Sequence, residues 1–412
     1  MDGDRYPELL IAGDFGTSRF FQNNTDGTFT NVTNGVNAGQ DENGMGQSLG
    51  DYNNDGLFDW YVTSIYLPSA SWTGNKLYLN TPGGTLDEIG ATAGVEDGGY
   101  GWGAVSVDFD HDGLVDIAET NGANGHPEFV NEPSYLWMNN GTGTPFTEEG
   151  QALGFDYSGA GRGLLDFDYD GDGDQDLALF TNFGPFTLWR NDLSGTQTHW
   201  LRVFLDTTAD DSLAPDGYGS IVRATVGANT YHRHLYGGDN MLSMSELVAH
   251  FGLGAAALVD ELRVEWSNGQ VTTLTDVAVD QTITVAAPAS GPWTRVGLAI
   301  GGENGVPQLR GSGDLVGGNP ASITVTHGKP SSQIYMILSF NALQAPFEGG
   351  TLVPAPDIIR LFATNPSGVW TATIPWPLGL PPGTTIWYQG WQQDATGPVG
   401  WISTNGLRST TP

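Results

Sequence analysis

The 412-residue chain predicts an all-β fold, an incomplete run of propeller blades followed by two β-sandwich-like domains, and three observations carry that prediction. A loop rich in Asp and Gly recurs, each time running into a short apolar strand and then into an aromatic segment ending in Asn. Sixty glycines and 23 prolines interrupt the chain, and residues 1–290 hold no 3.6-residue apolar period over about 12 residues, which argues against helices of any length. The charge is also divided: residues 1–198 hold 31 acids and 5 bases, residues 199–290 hold 11 and 4, and residues 291–412 hold 5 of each.

The repeat comes first, because it sets the architecture. The loops are Asp51 to Asp59, Asp108 to Asp116 and Asp168 to Asp176, and each leads into apolar residues: Trp60 to Val62, Ile117 and Ala118, and Leu177 to Phe180. The asparagines that close the following segments, Asn23, Asn80, Asn139 and Asn191, are spaced by 57, 59 and 52 residues. A period of 50–60 residues built from short strands and glycine turns suits a four-stranded propeller blade. Residues 1–198 are assigned to such blades. Residues 199–287 change character and alternate as strands, at Trp200 to Leu205, Ile221 to Val226, Glu261 to Trp266 and Thr282 to Val285. Residues 286–291 read as a linker, and residues 292–412 as a neutral C-terminal β-sandwich of unassigned role.

A formal charge of −33 repels nucleic acid and anionic lipid and attracts cations. The acids are interleaved with Trp, Phe, Leu and Gly, which points to ordered loops around bound cations and away from a disordered tail. No cysteine is present, so redox chemistry leaves the compartment open. The apolar runs fall short of the roughly 20 residues of a membrane span, and no membrane insertion is expected.

The pattern D-x-[DN]-x-D-G-x-x-D suits calcium, a hard cation that takes six to eight oxygens at about 2.3–2.6 Å. Side chains at the first, third, fifth and ninth positions and the carbonyl at the seventh are the candidate ligands. They are Asp51, Asn53, Asp55, Asp59 and the Leu57 carbonyl in the first loop. In the second they are Asp108, Asp110, Asp112, Asp116 and the Leu114 carbonyl, and in the third Asp168, Asp170, Asp172, Asp176 and Asp174. The glycine after the fifth position permits the sharp turn. Asp166 is an alternative start for the third loop; Asp168 is preferred because Asp176-Leu177 then aligns with Asp59-Trp60 and Asp116-Ile117. Asp108 to Glu119 also fits a twelve-residue EF-hand loop. Val62 and Leu179 hold the place of Glu119 in the other loops and the flanks read as strands, so that match is read as coincidence.

These loops, with tails such as Asp26-Gly27-Thr28-Phe29, resemble the FG-GAP and VCBS repeats of integrin-like propellers, where such loops hold Ca²⁺. His199-Trp200-Leu201, Tyr218-Gly219-Ser220-Ile221, His250-Phe251-Gly252-Leu253-Gly254 and Val264-Glu265-Trp266-Ser267-Asn268-Gly269 resemble the ASPIC/UnbV domain that follows such repeats in the cartilage acidic protein-like family. Ser267 departs from that family's usual Trp-Pro-x-Gly turn. The resemblance covers about residues 1–287 and implies a secreted or cell-surface protein that uses calcium structurally to bind a protein or glycan. It also implies about seven blades. The chain shows three whole loops and part of a fourth, with Asp2, Asp4 and Glu8 as possible ligands, and is therefore expected to be a fragment.

An enzyme is not expected. No Cys nucleophile or phosphate loop is present. His232 and His234 share one face of a strand, a potential metal pair but more simply an exposed strand face, and His250 is expected to satisfy a backbone group in its own domain. The competing reading is a carbohydrate-binding or polysaccharide-degrading protein, with Trp376, Trp387, Tyr388, Trp391 and Trp401 either a sugar-stacking face or a sandwich core.

Overall fold

A computed structural model describes residues 1, 3–141, 145–210, 213–288, 291–297 and 299–412. Asp2 and part of the 286–291 linker lie outside the described residues. The chain is all-β, and the two α-helices among the described residues, Gly90–Ala93 and Gly150–Leu153, are single turns. It divides into two compact units. The first holds Met1–Gln22, Phe29–Asp206 and Pro215–Ala286; the second holds Asn23–Thr28, Thr207–Ala214 and Ala287–Pro412.

Four antiparallel meanders follow one another along the first unit. They are Leu9–Ile11, Arg19–Asn23 and Phe29–Asn31; then Gln47–Gly50, Asp59–Val62, Lys76–Asn80 and Leu86–Glu88. Next come Gly101–Val107, Asp116–Asn121, Tyr135–Met138 and Thr147–Glu148, and finally Gly161–Phe167, Asp176–Thr181 and Thr187–Trp189. The hydrophobic cores lie between consecutive sheets, as in a propeller. Tyr61 and Leu77 of the second sheet pack with Ala104, Ile117 and Trp137 of the third, while Val105 and Leu136 of the third pack with Leu164 and Leu179 of the fourth. Side chains on successive residues of one strand thus feed opposite cores, which is why these strands are apolar throughout.

The repeating asparagines tie neighbouring sheets together. The Asn139 side-chain amide donates to the Tyr52 carbonyl of the preceding sheet's loop at 2.8 Å, and Asn191 donates to Phe109 at 2.8 Å. Asn80 makes the same bond to Met1 at 2.9 Å, so Met1 stands in the register of Tyr52 and Phe109.

The remainder of the first unit packs two sheets on each other. One orders Ala249–Gly254, His199–Asp206 and Gln281–Ala286, the last two pairing in parallel. The other orders Asn229–His234, Ile221–Val226, Leu258–Glu265 and Val271–Ala278. Leu201, Val203, Phe251, Val222, Val264 and Trp266 are buried between or against them.

In the second unit, a larger sheet orders Trp293–Val296, Gly406–Thr410, Thr385–Gln393, Gln333–Ser339 and Ile358–Ala363. A smaller one orders Gln308–Ser312, Pro320–Thr326 and Trp370–Pro375. Trp376, Tyr388 and Trp391 are buried in its cores, where Trp293 packs on Trp376 and Tyr388. Three of the five aromatics considered for a sugar-stacking face are therefore core residues.

Candidate metal centres

The three loops share one backbone plan. The ninth-position carboxylate is buried and holds two amides. Asp59 accepts from Tyr52 N at 2.9 Å and Asn80 N at 2.8 Å; Asp116 accepts from Phe109 N at 2.9 Å and Asn139 N at 2.7 Å; Asp176 accepts from Tyr169 N at 3.0 Å and Asn191 N at 2.8 Å. It therefore clamps the loop's entry to the strand that ends in the tying asparagine. The first-position aspartate caps the turn, with Asp51 accepting from Asp55 N and Gly56 N, Asp108 from Asp112 N and Gly113 N, and Asp168 from Gly171 N and Gly173 N. The fifth-position aspartates Asp55, Asp112 and Asp172 each accept from the amide two residues on. Asp4 accepts from Tyr6 N in the same way. In this plan Asp168 stands where Asp51 and Asp108 stand, whereas Asp166 accepts from Ser245 at 2.5 Å.

Among the described residues, two acidic trios each come close enough to share one metal ion. Ligand oxygens of Asp108, Asp110 and Asp112 all lie within 4.8 Å of one another, as do those of Asp168, Asp170 and Asp176. That span is about twice a Ca–O bond, so the oxygens can face one ion. The trios differ in membership. In the second loop Asp116 lies outside the trio, and in the third Asp172 and Asp174 do, with Asp174 accepting from Leu193 N. In the first loop Asn53 occupies the third position and donates to Asp55 at 3.0 Å. Glu119 takes no part: it is buried in the strand Asp116–Asn121 and accepts from Tyr61 at 2.6 Å and Asn75 at 2.8 Å. The strand flanks rule out an EF-hand.

Electrostatics fit a cation. Burial pushes Asp59 up to about 8 and Asp108 to about 7, with neighbouring loop acids adding to the rise in both and the Arg233 charge opposing it at Asp108. Burial raises Asp112 and Asp176 to about 6 and holds Asp116 well above the carboxylate range. Crowded, half-dry carboxylates hold protons for want of a counter-charge, and a divalent ion supplies one.

Sequence reasoning missed the groups that close the loops from the far side. The sixth-position glycines Gly56, Gly113 and Gly173 have φ of 86°, 94° and 96°, and each lies under a ring from the segment after residue 198. A Cβ on Gly173 would fall 1.8 Å from Trp200; on Gly113, 2.5 Å from Tyr231; on Gly56, 3.2 Å from His232. The same segment brings a basic group to every first-position aspartate. His232 Nδ1 lies 3.0 Å from Asp51, Arg202 Nη1 donates to Asp168 at 2.9 Å, and the Arg233 charge acts on Asp108. His111 has a left-handed φ of 62°, a strained conformation for a non-glycine residue; its carbonyl accepts from Gly254 N at 2.7 Å and its ring lies 5.0 Å from that of His250.

Two histidine expectations are corrected here. The strand bearing His232 and His234 is not an open face: His232 is buried on the first loop and His234 packs 3.5 Å from the Phe58 ring. His250 satisfies the Gly173 carbonyl of the third loop at 3.1 Å, not a group of its own segment.

Residues 1–62 match the FG-GAP-like repeat family and residues 211–292 match the family described as ASPIC and UnbV. Cartilage acidic protein 1 of Xenopus tropicalis is 28% identical over 276 residues, covering 65% of this chain and 40% of that protein. The Homo sapiens protein of the same name is 28% identical over 274 residues, covering 64% and 39%. The chain thus spans about two fifths of the length of the curated relatives it matches. Among solved structures, the V. cholerae biofilm matrix protein Bap1 overlaps 98% of this chain and 62% of its own at 13% identity, with a TM-score of 0.22, which carries no argument.

Proposed function

We propose that this chain, which joins an FG-GAP-like repeat to an ASPIC/UnbV domain, is a secreted or cell-surface calcium-binding protein. Its role on this reading is binding, adhesion or scaffolding toward a protein or glycan, with no catalytic step. The observation that carries the reading is the pair of acidic trios, each within 4.8 Å, set in loops of one repeated backbone plan. Asp51, Asn53, Asp55, Asp59 and the Leu57 carbonyl would hold the ion of the first loop, Asp108, Asp110, Asp112, Asp116 and the Leu114 carbonyl that of the second, and Asp168, Asp170, Asp172, Asp174 and Asp176 that of the third. Calcium supplies positive charge that lets the buried carboxylates stay ionised. The chain's own residues do the rest: the ninth aspartates fix the strands, the asparagines bridge the sheets, and Arg202, Arg233 and His232 cover the loops. The result is a rigid acidic surface. No described helix is long and apolar enough to cross a membrane.

The test is calcium stoichiometry by equilibrium dialysis, with magnesium as control. The reading expects calcium-selective binding at the loops and one equivalent fewer in Asp112→Ala. Unchanged stoichiometry in that variant removes the second loop from the account, and no binding by the parent removes calcium altogether.

A further inference from the structure

We infer that the second unit is a self-assembly surface: the edge strand Ile358–Ala363 pairs antiparallel with the same strand of a second copy of this chain. This inference is independent of the calcium reading. The strand closes the larger sheet, pairing on one side with Gln333–Ser339 in an unbroken register from Gln333↔Ala363 to Leu338↔Ile358. Its six residues, IIRLFA, are all exposed, Ile359 by 50% and Leu361 by 51%. An edge that is β-branched, apolar and free of bulges templates another strand unless something guards it.

The other sandwich edges are guarded. Trp293–Val296 has only four residues, Gln308–Ser312 carries Arg310 and Gly311, and Trp370–Pro375 ends in proline. The one guard on Ile358–Ala363 is Arg360, whose guanidinium donates to the Ile359 carbonyl at 3.2 Å.

Charge and symmetry select the occupant. Two copies of a chain with a formal charge of −33 repel everywhere except where the charge vanishes, and residues 291–412 balance five acids with five bases. An antiparallel pair of identical strands has an inherent two-fold axis and closes as a dimer. The register that uses all six residues sets Ile358 opposite Ala363, Ile359 opposite Phe362 and Arg360 opposite Leu361. Each arginine then faces an apolar residue, so no like charges meet across the pair.

Sedimentation velocity of the full chain tests this, over about a hundredfold range of concentration at about 0.15 M salt, where surface repulsion is screened. The parent is expected to show a reversible monomer–dimer equilibrium. Leu361→Lys places Lys opposite Arg360 and should weaken the dimer at least about tenfold. Leu361→Glu places an acid there and should retain or tighten it. A parent that stays monomeric overturns the proposal, as does a dimer indifferent to Leu361→Lys or one weakened equally by both substitutions.

Discussion

The two units of this chain are built from the same strands and turns, yet they bury opposite chemistry. Residues 291–412 enclose Trp376, Tyr388, Trp391, Leu309 and Ile334, and Asp394 is their one buried acid among the described residues. The loop-bearing unit buries Asp51, Asp59, Asp108, Asp116, Asp174, Asp176 and Glu119 beside its apolar cores. The neutral unit holds itself by apolar burial, which needs no partner. The acidic unit spends its loop carboxylates on backbone amides and on basic groups from its own later strands, and negative charge still remains in excess. On the calcium reading proposed above, its stability depends on bound cation and the neutral unit's does not.

That contrast is open to attack. The largest expected effect is from chelation. Scanning calorimetry in chelator should show a calcium-sensitive transition falling by about 2.7 kcal/mol for each loop that was filled at a hundred times its dissociation constant, with a second transition unmoved. A single transition shifting as a whole would break the contrast. Next comes Arg202→Met. Arg202 joins Asp168 and Glu246 in a site where its own side chain is 8% exposed and that of Asp168 is fully buried, and losing one partner of such a pair costs about 3–5 kcal/mol. The loss should appear in the calcium-sensitive transition alone, read by denaturant unfolding. The smallest effect is a pH dependence outside the loops. Burial, with the Asp166 charge adding to it, raises Asp239 from its ordinary 3.8 to about 7. A carboxyl with a raised folded pKa favours the folded state fully below its unfolded value, and that advantage is lost as pH rises through the folded value. Asp239→Asn cannot ionise, so its stability relative to the parent should grow by about 2 kcal/mol between pH 4 and pH 6. An unchanged difference across that range would show that Asp239 is already ionised in the fold.

Much of the architecture was legible because its causes are local. An Asp-rich loop closed by glycine and followed by an apolar run specifies turn and strand within a dozen residues, and the near-regular spacing of Asn80, Asn139 and Asn191 marked the repeating sheets. Their role as ties between sheets was not legible, because the acceptor carbonyls of Met1, Tyr52 and Phe109 lie a sheet away. The covering groups were hidden for the same reason. His232 meets Asp51 across 181 residues of sequence, and Arg202 meets Asp168 across 34. The clue available in the sequence was scarcity: residues 199–290 carry four basic residues, all arginine, and two of them serve the loops. Likewise, a crowd of tryptophans near the C-terminus could not be divided between core and surface until the strands carrying Trp391 and Trp401 were paired.

The most direct test of the central claim is hydrogen–deuterium exchange of the full chain in calcium and in chelator. Chelation is expected to open the amides held by the loop aspartates, Gly56, Gly113 and Gly173 with Asn80, Asn139 and Asn191, while the strands Gln333–Ser339 and Thr385–Gln393 keep their protection. Equal protection of the loops in both conditions, or equal loss across both units, would contradict the account.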